Sequence, residues 1–349
     1  MTIKTLSCLG AAVAAIAAAG TLAGCAVAGG TTDAATAPLE QRTITVDSVP
    51  AAEEGGLYVA QAQGFFAQQG LRVKIKSITG GEVGLPDLQK GSAQLVAGNY
   101  VSFILAQIAG KWGATPKTVK PVNMRIIAAG SEIQPGTEAL YVMPGSKFQT
   151  VAELAKAHAR VGLNTANDVG DVMMGALLAE NGYKLSAVKQ VVPKGGFPAL
   201  LSMLPAGKVD AAWLPQPLAE TAEQQFGAVP IADFDQGSLQ GLPFTGYIGT
   251  AQWVKDHPNT VAAFLRALNE GQRLADTNRS AVESAMEEYT GIKPIVADTM
   301  AIDTYPLDMN VPQLQRVADA MFEFGLTGDA TAPYKISKMI QREPGLISK

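Results

Sequence analysis

Leu71-Arg72-Val73-Lys74-Ile75-Lys76 alternates apolar and cationic side chains without a break, the period of a strand with one face on a core and its charges in water. Its neighbours decide what kind of sheet it joins. Upstream, Leu57 to Gln69 reads as a helix stopped by Gly70. Before that helix, Arg42-Thr-Ile-Thr-Val46 alternates β-branched and polar residues as a strand does. Downstream come a short helix from Asp87 to Lys90 closed by Gly91, a short buried strand from Ala93 to Ala97, a helix from Tyr100 to Ala109, and a strand from Met124 to Ala128. Such alternation of strand and helix predicts an α/β fold built on an open sheet.

The same grammar restarts at Ala139-Leu-Tyr-Val-Met143. Thr150-Val-Ala-Glu153 is a capping box that opens a helix running to Ala159. Strand Arg160 to Leu163, a helix from about Val169 to Asn181, strand Val188 to Val192, helix Phe197 to Leu204 and strand Val209 to Leu214 follow. Pro243 to Thr250 reads as one more strand, after which the pattern is helical: Ala251 to Asp256, Asn259 to Asp276, Ser280 to Tyr289 and Val311 to Phe324. Two α/β units and a helical tail predict two lobes, with residues 42–136 and 246–349 in the first and 137–245 in the second. Crossing strands near Gly136 to Tyr141 and Phe244 to Ile248 would form the hinge.

The N-terminus sets the compartment. Lys4 precedes the apolar run Leu9 to Leu22, which is shorter than the ~20 residues a spanning helix needs. Leu22-Ala-Gly-Cys25 resembles a bacterial lipobox, which implies a signal peptide over residues 1–24, cleavage before Cys25 and a lipid on its sulfur. Residues 25–41, rich in Ala, Gly and Thr, read as a flexible tether. The other cysteine, Cys8, lies inside the signal, so no disulfide, cysteine-based metal site or thiol nucleophile is expected. Removing 24 of 349 residues still leaves more chain than one compact core usually organises. The net charge is −4 and no basic cluster is interleaved with aromatics, which argues against nucleic acid. His158 and His257 stand apart, without ligand spacing for zinc. No cofactor or metal is expected. Neither Gly80-Gly81 nor Gly195-Gly196 fits a P-loop or dinucleotide fingerprint. Of the adjacent Phe65 and Phe66 at most one can face inward, and Asp210, ending a Gly-Lys-Val-Asp turn, is expected to hold nearby backbone amides.

Several segments resemble the solute-binding proteins of ABC importers for nitrate, sulfonates, taurine and thiamine-precursor pyrimidines. Gly56-Leu-Tyr-Val-Ala60 leading into Gly64-Phe-Phe-Ala-Gln-Gln-Gly-Leu71 carries the likeness, as do Ala199-Leu-Leu to Gly207-Lys-Val-Asp-Ala-Ala212, Gln216-Pro217, and Thr250 to Phe264. Ala93-Gln94 departs from it where the family commonly has an aspartate. The resemblance implies a two-lobed fold of the type II periplasmic-binding-protein kind. It also implies a monomeric lipoprotein on the outer face of a bacterial membrane that delivers a small molecule to an ABC permease. Relatives of this architecture that do chemistry, a desulfinase type and a pyrimidine-synthase type, need a nucleophilic cysteine or a Cys-rich segment, which this chain lacks. A surface-anchored enzyme of that kind is the alternative.

Ligands of open α/β sheets bind beyond the carboxyl ends of the strands. The junctions there present Glu53 and Glu54, Gly81 beside Glu82, Asn99 and Tyr100, then Thr165, Asn167, Asp168 and Asp171, then Lys194 and Phe197, and finally Trp213 and Gln216. Of these Glu53, Glu54, Gly81, Asn99, Tyr100, Thr165, Asn167, Asp168, Trp213 and Gln216 are the candidate ligand-binding residues, and none is expected to be catalytic. Acids outnumber the one cation, Lys194, so the ring favours a neutral or cationic nitrogen-containing solute over a nitrate or sulfonate. Against that, acids at helix starts are also stabilised there by the helix dipole alone, by ~0.3–1 kcal/mol each.

Overall fold

A computed structural model describes residues 38–109 and 122–341. The signal peptide, Cys25 and residues 26–37 of the tether lie outside these. Four strands come first: β1 (Thr43–Ser48), β2 (Arg72–Ser77), β3 (Leu95–Asn99) and β4 (Met124–Ala129). Five more follow, β5 (Glu138–Val142), β6 (Arg160–Gly162), β7 (Lys189–Val191), β8 (Ala211–Pro215) and β9 (Val229–Asp233), and β10 (Thr245–Thr250) returns. They build two five-stranded mixed sheets, ordered β2-β1-β3-β10-β4 and β7-β6-β8-β5-β9. In the first, β1 is parallel to β2 and β3, while β10 runs antiparallel between β3 and β4. In the second, β6 is parallel to β7 and β8, and β5 runs antiparallel to β8 and β9.

Sequence pattern and position agree. The alternating β2 is an edge strand whose Val73 is buried while Arg72 and Lys74 are exposed, and such charges discourage edge-to-edge pairing. The central strands β3, β5 and β8 are buried at every residue, as expected where helices cover both faces. Phe66 is the inward aromatic and stacks on Phe264 at 5.2 Å, leaving Phe65 half-buried. The capping box at Thr150 and Glu153 is present. Asp210 accepts the Arg160 backbone N–H at 2.8 Å and also pairs with its guanidinium. The helix expected at Asp87 begins earlier, spanning Gly81–Lys90. Three elements were not read from the sequence: helix Leu218–Phe226, strand β9 and helix Pro294–Thr299.

The crossings between lobes are made by the segments joining the sheets. Phe244 N–H donates to the Ser131 carbonyl at 2.8 Å, and Ile133 N–H to the Leu242 carbonyl at 3.2 Å. β5 and β10 thus each belong wholly to one sheet, with the paired crossings beside them. A third segment joins on the other side, where Glu132 pairs with Thr304. The last long helix, Val311–Glu323, packs on the helix Tyr100–Ile108 of the first lobe and reaches the second as well. Its Arg316 donates to the Ser238 and Gln240 carbonyls of the second lobe at 3.0 and 2.8 Å, and Phe324 lies so close to Gly175 that a Cβ there would approach it to 2.9 Å. The chain then returns to the first sheet, where Ile340 pairs with Ile126. At the other end, Pro38–Gln41 are packed rather than free: the Glu40 carboxylate accepts the N–H groups of Asn259 and Thr260, and Trp253 Nε1 donates to Gln41 at 3.0 Å.

Candidate functional site

The carboxyl ends of the parallel strands in both sheets face one another, and the lobes touch there. Ala52 N–H donates to the Gln216 carbonyl at 3.0 Å. Ser102 Oγ donates to Asp168 Oδ2 at 2.7 Å, and Thr165 Oγ1 to Glu82 Oε1 at 3.0 Å. Gly196 takes a left-handed φ of 60°, and a Cβ there would sit 3.3 Å from the Thr79 carbonyl of the other lobe. Between the lobes lies a cavity of about 280 Å³, lined by Val49, Pro50, Ile78 and Thr79 from one side and by Phe197 and Gln216 from the other. A smaller space of about 40 Å³ adjoins Glu82, Ser102, Thr165 and Asp168.

Four carboxyl groups converge behind that cleft. Glu53 and Glu54 lie in the turn after β1, Glu138 opens β5, and Asp303 comes from the segment beside the third crossing; all are buried. Burial, reinforced by the neighbouring charge of Asp303, pushes Glu53 up to about 8, and burial raises Asp303 to about 7. Glu54 and Glu138 are driven well above the carboxylate range, by burial first and by Glu53 next. Trp213 Nε1 donates to Glu138 Oε2, and the indole meets Phe197 edge-on at 4.8 Å. Both oxygens of Glu54 and Oδ1 of Asp303 lack a donor in hydrogen-bonding geometry. Among the described residues, no group of His, Cys, Asp and Glu has the arrangement to hold a metal ion.

The other expected residues divide by role. Asn99 caps the helix Tyr100–Ile108, its Oδ1 accepting the Ser102 N–H at 2.8 Å. Tyr100 is buried, its ring filling the space above Gly246. Gly81 starts a helix against the backbone of Gly98. Asp168 caps Val169–Glu180 in a capping box with Asp171, so both of its oxygens are engaged. Burial, with Glu82 next, still raises Asp168 to about 7. Asn167 adopts a left-handed φ of 54° and is exposed, as is Lys194. Gln216 ties the lobes by main chain and donates from Nε2 to the Gly136 carbonyl at 3.0 Å. Two central acids, Glu138 and Asp303, were not read from the sequence. Glu138 had a signal, a lone acid at the head of a wholly apolar strand. Asp303 sits in irregular chain and had none.

A fold of two α/β lobes joined by crossing strands, with polar groups buried between facing strand ends, is that of the type II periplasmic binding proteins. The sequence matches the family model described as NMT1/THI5 like over residues 52–278, well over half of the chain, and the chain belongs to that family. Among solved structures it is similar to the alkanesulfonate-binding protein SsuA from Xanthomonas axonopodis pv. citri bound to MOPS, at 16% identity and a TM-score of 0.72, covering 88% of this chain and 100% of that one. It is also similar to the periplasmic nitrate-binding protein NrtA from Synechocystis PCC 6803, at 16% identity and a TM-score of 0.64, covering 74% and 69%. The desulfurization enzyme DSZB shares the architecture at 15% identity and a TM-score of 0.61, covering 87% and 97%. No curated protein matches the sequence.

Proposed function

We propose that the chain is the extracytoplasmic solute-binding subunit of an ABC importer, holding a small organic molecule between its lobes and handing it unchanged to the permease. The observation that carries this reading is the cavity of about 280 Å³ at the facing strand ends, lined from both lobes by Val49, Ile78 and Thr79 on one side and Phe197 and Gln216 on the other. A solute that touches both sides favours the closed form by its difference in affinity for the two states, and that difference is all a receptor of this kind needs. Residues 42–136 and 246–349 form the first lobe and 137–245 the second, with Val311–Glu323 as a brace across them. A lipid on Cys25 and the residues after it, as far as 37, tether the monomer to the outer membrane face, and the closed lobes dock on the permease. The site residues are Glu53, Glu54, Tyr100, Trp213 and Gln216, with Asn99, Thr165, Asn167 and Asp168 at the rim beside Gly81.

The reading is not catalytic, because no cysteine lies between residues 38 and 341 to serve as the nucleophile of the enzymatic relatives. Small-angle scattering with and without solutes extracted from the host tests it. A smaller radius of gyration and a higher melting temperature with one recoverable, unconverted solute are expected. Conversion of that solute, or a shape indifferent to every fraction, refutes it.

A further inference from the structure

The solute class follows from the walls of the cavity between the lobes. On the first lobe, Val49, Pro50 and Ala51 after β1 and Ile78 after β2 present apolar surface, and all but Pro50 are buried. The second lobe adds Phe197, at the start of helix Gly196–Met203, and Pro215 and Leu218 at the end of β8. Helix Arg279–Thr290 closes a third side with Tyr289, whose ring lies 5.1 Å from that of Tyr58. Phe197 is held edge-on against Trp213, so one aromatic ring from each lobe borders the space. The polar members of the wall, Ser77, Thr79, Gln216 and Thr290, carry no charge. Two of them are already engaged: Gln216 Nε2 donates to the Gly136 carbonyl while its Oε1 accepts the Glu220 N–H, and Thr290 Oγ1 donates to the Met286 carbonyl. Ser77 and Thr79 are both exposed. Among the described residues, no Lys, Arg, His, Asp or Glu lines the cavity.

Resting on the receptor reading, we infer that the transported solute is uncharged and largely apolar, a compound of one or two aromatic rings bearing a single hydroxyl- or amide-type substituent. Burying a charge without a partner is very costly, and this wall offers a partner to neither sign. Of the neutral and cationic solutes expected from the sequence, the walls therefore select the neutral one. Size follows from volume: an apolar cavity of about 150 Å³ holds benzene. The space of about 280 Å³ here admits a bicyclic frame, or one ring with a short substituent. Apolar walls supply affinity through the area removed from water, which has no direction. Orientation is left to the Ser77 and Thr79 hydroxyls, each able to donate and to accept. A polar substituent turned toward them is matched, whereas one turned toward Val49, Ile78 or Leu218 loses its water and gains no partner. Closure brings Phe197 and Tyr289 against the same solute, and that contact, made with both lobes, is what favours the closed form.

The full chain in lipid nanodiscs is titrated with benzyl alcohol and 2-naphthol, and with benzenesulfonate and benzylamine as charged counterparts, against empty nanodiscs, following melting temperature and the heat of binding. The neutral probes are expected to raise the melting temperature and to bind with a negative heat-capacity change. The charged ones should bind at least about a hundredfold more weakly. Leu218→Ala and Tyr289→Ala, on opposite lobes, should each weaken the neutral probes about tenfold. Both side chains are only half-buried, so the variants should melt close to the parent without solute, which separates lost recognition from lost folding. Thr79→Lys, at an exposed position, should narrow the gap between benzyl alcohol and benzenesulfonate about tenfold, a gain that misfolding cannot produce. If benzenesulfonate or benzylamine binds as tightly as benzyl alcohol, or if truncating the walls leaves the affinity unchanged, the uncharged class is overturned and the receptor stands. If no probe acts, the class is likewise overturned; only a scattering profile that also ignores the host's solutes removes the receptor reading with it.

Discussion

Replacing Asp303 with Asn should stabilise the protein, and more so as pH rises. Asp303 is 4% exposed and burial lifts its acidity from 3.8 to about 7. Each unit of that shift corresponds to about 1.4 kcal/mol, so holding the ionised group in the folded state costs about 4 kcal/mol. The unfolded chain loses this proton near pH 4 and the folded chain near pH 7. The folded state therefore binds more protons in that window, and stability falls as pH rises through it, flattening above about 7. An asparagine does not titrate, so the fall attributable to this position disappears. Urea unfolding followed by tryptophan fluorescence at about pH 4.5 and about pH 8 measures the effect as a difference of differences. The advantage of Asp303→Asn over the parent should grow by about 3 kcal/mol between the two conditions. An equal loss at both pH values would refute the electrostatic account and leave Asp303 as an ordinary packing residue.

Three further outcomes follow from the geometry. Ser102→Ala removes the 2.7 Å bond to Asp168 that joins the lobes and should loosen the closed form by about 1–3 kcal/mol, read as a larger radius of gyration without ligand; an unchanged radius rules out the latch. Trp213→Phe keeps an edge toward Phe197 but removes the donor to Glu138 and should cost about 2 kcal/mol in urea unfolding; unchanged stability would mean that the indole N–H contributes nothing there. Gly246→Ala places a Cβ 2.6 Å from the Tyr100 ring and should cost about 1–3 kcal/mol in urea unfolding, whereas Gly64→Ala, with open space around it, should show only the smaller strain of its left-handed φ.

Most of the fold was legible because its punctuation is local. The alternation of residues 71–76 fixed a strand with one face on a core, Thr150 and Glu153 fixed a helix start, and the apolar runs at 93–97 and 139–143 marked two more strands. What was missed had weak or contrary signals. Pro230 inside Val229–Asp233 argues against a strand, and the segment is indeed at the edge of its sheet, where a missing N–H is tolerated. Helix Leu218–Phe226 is short and starts straight after Pro217 with no side-chain cap. That Val311–Glu323 packs against both lobes is a tertiary fact: its apolar stripe predicts a buried face but not which neighbours bury it.

The site was legible in part, and the division is instructive about carboxylates. Asp168, Asp171 and Glu82 were grouped with Glu53 and Glu54 as acids at strand ends, yet a sequence cannot separate an acid that serves its own helix from one that has no local partner. Asp168 and Asp171 satisfy each other's backbone and cap a helix, the local role that a helix N-terminus supplies. Glu54 serves no helix of its own and lies by Asp303, with the hydroxyls of Tyr247 and Thr245 beside it, because the crossings bring the segment at Thr304 to the turn after β1. Asp168, satisfied by its own helix, also takes the Ser102 hydroxyl from the other lobe, as Glu82 takes that of Thr165, so acids at the strand ends join the lobes.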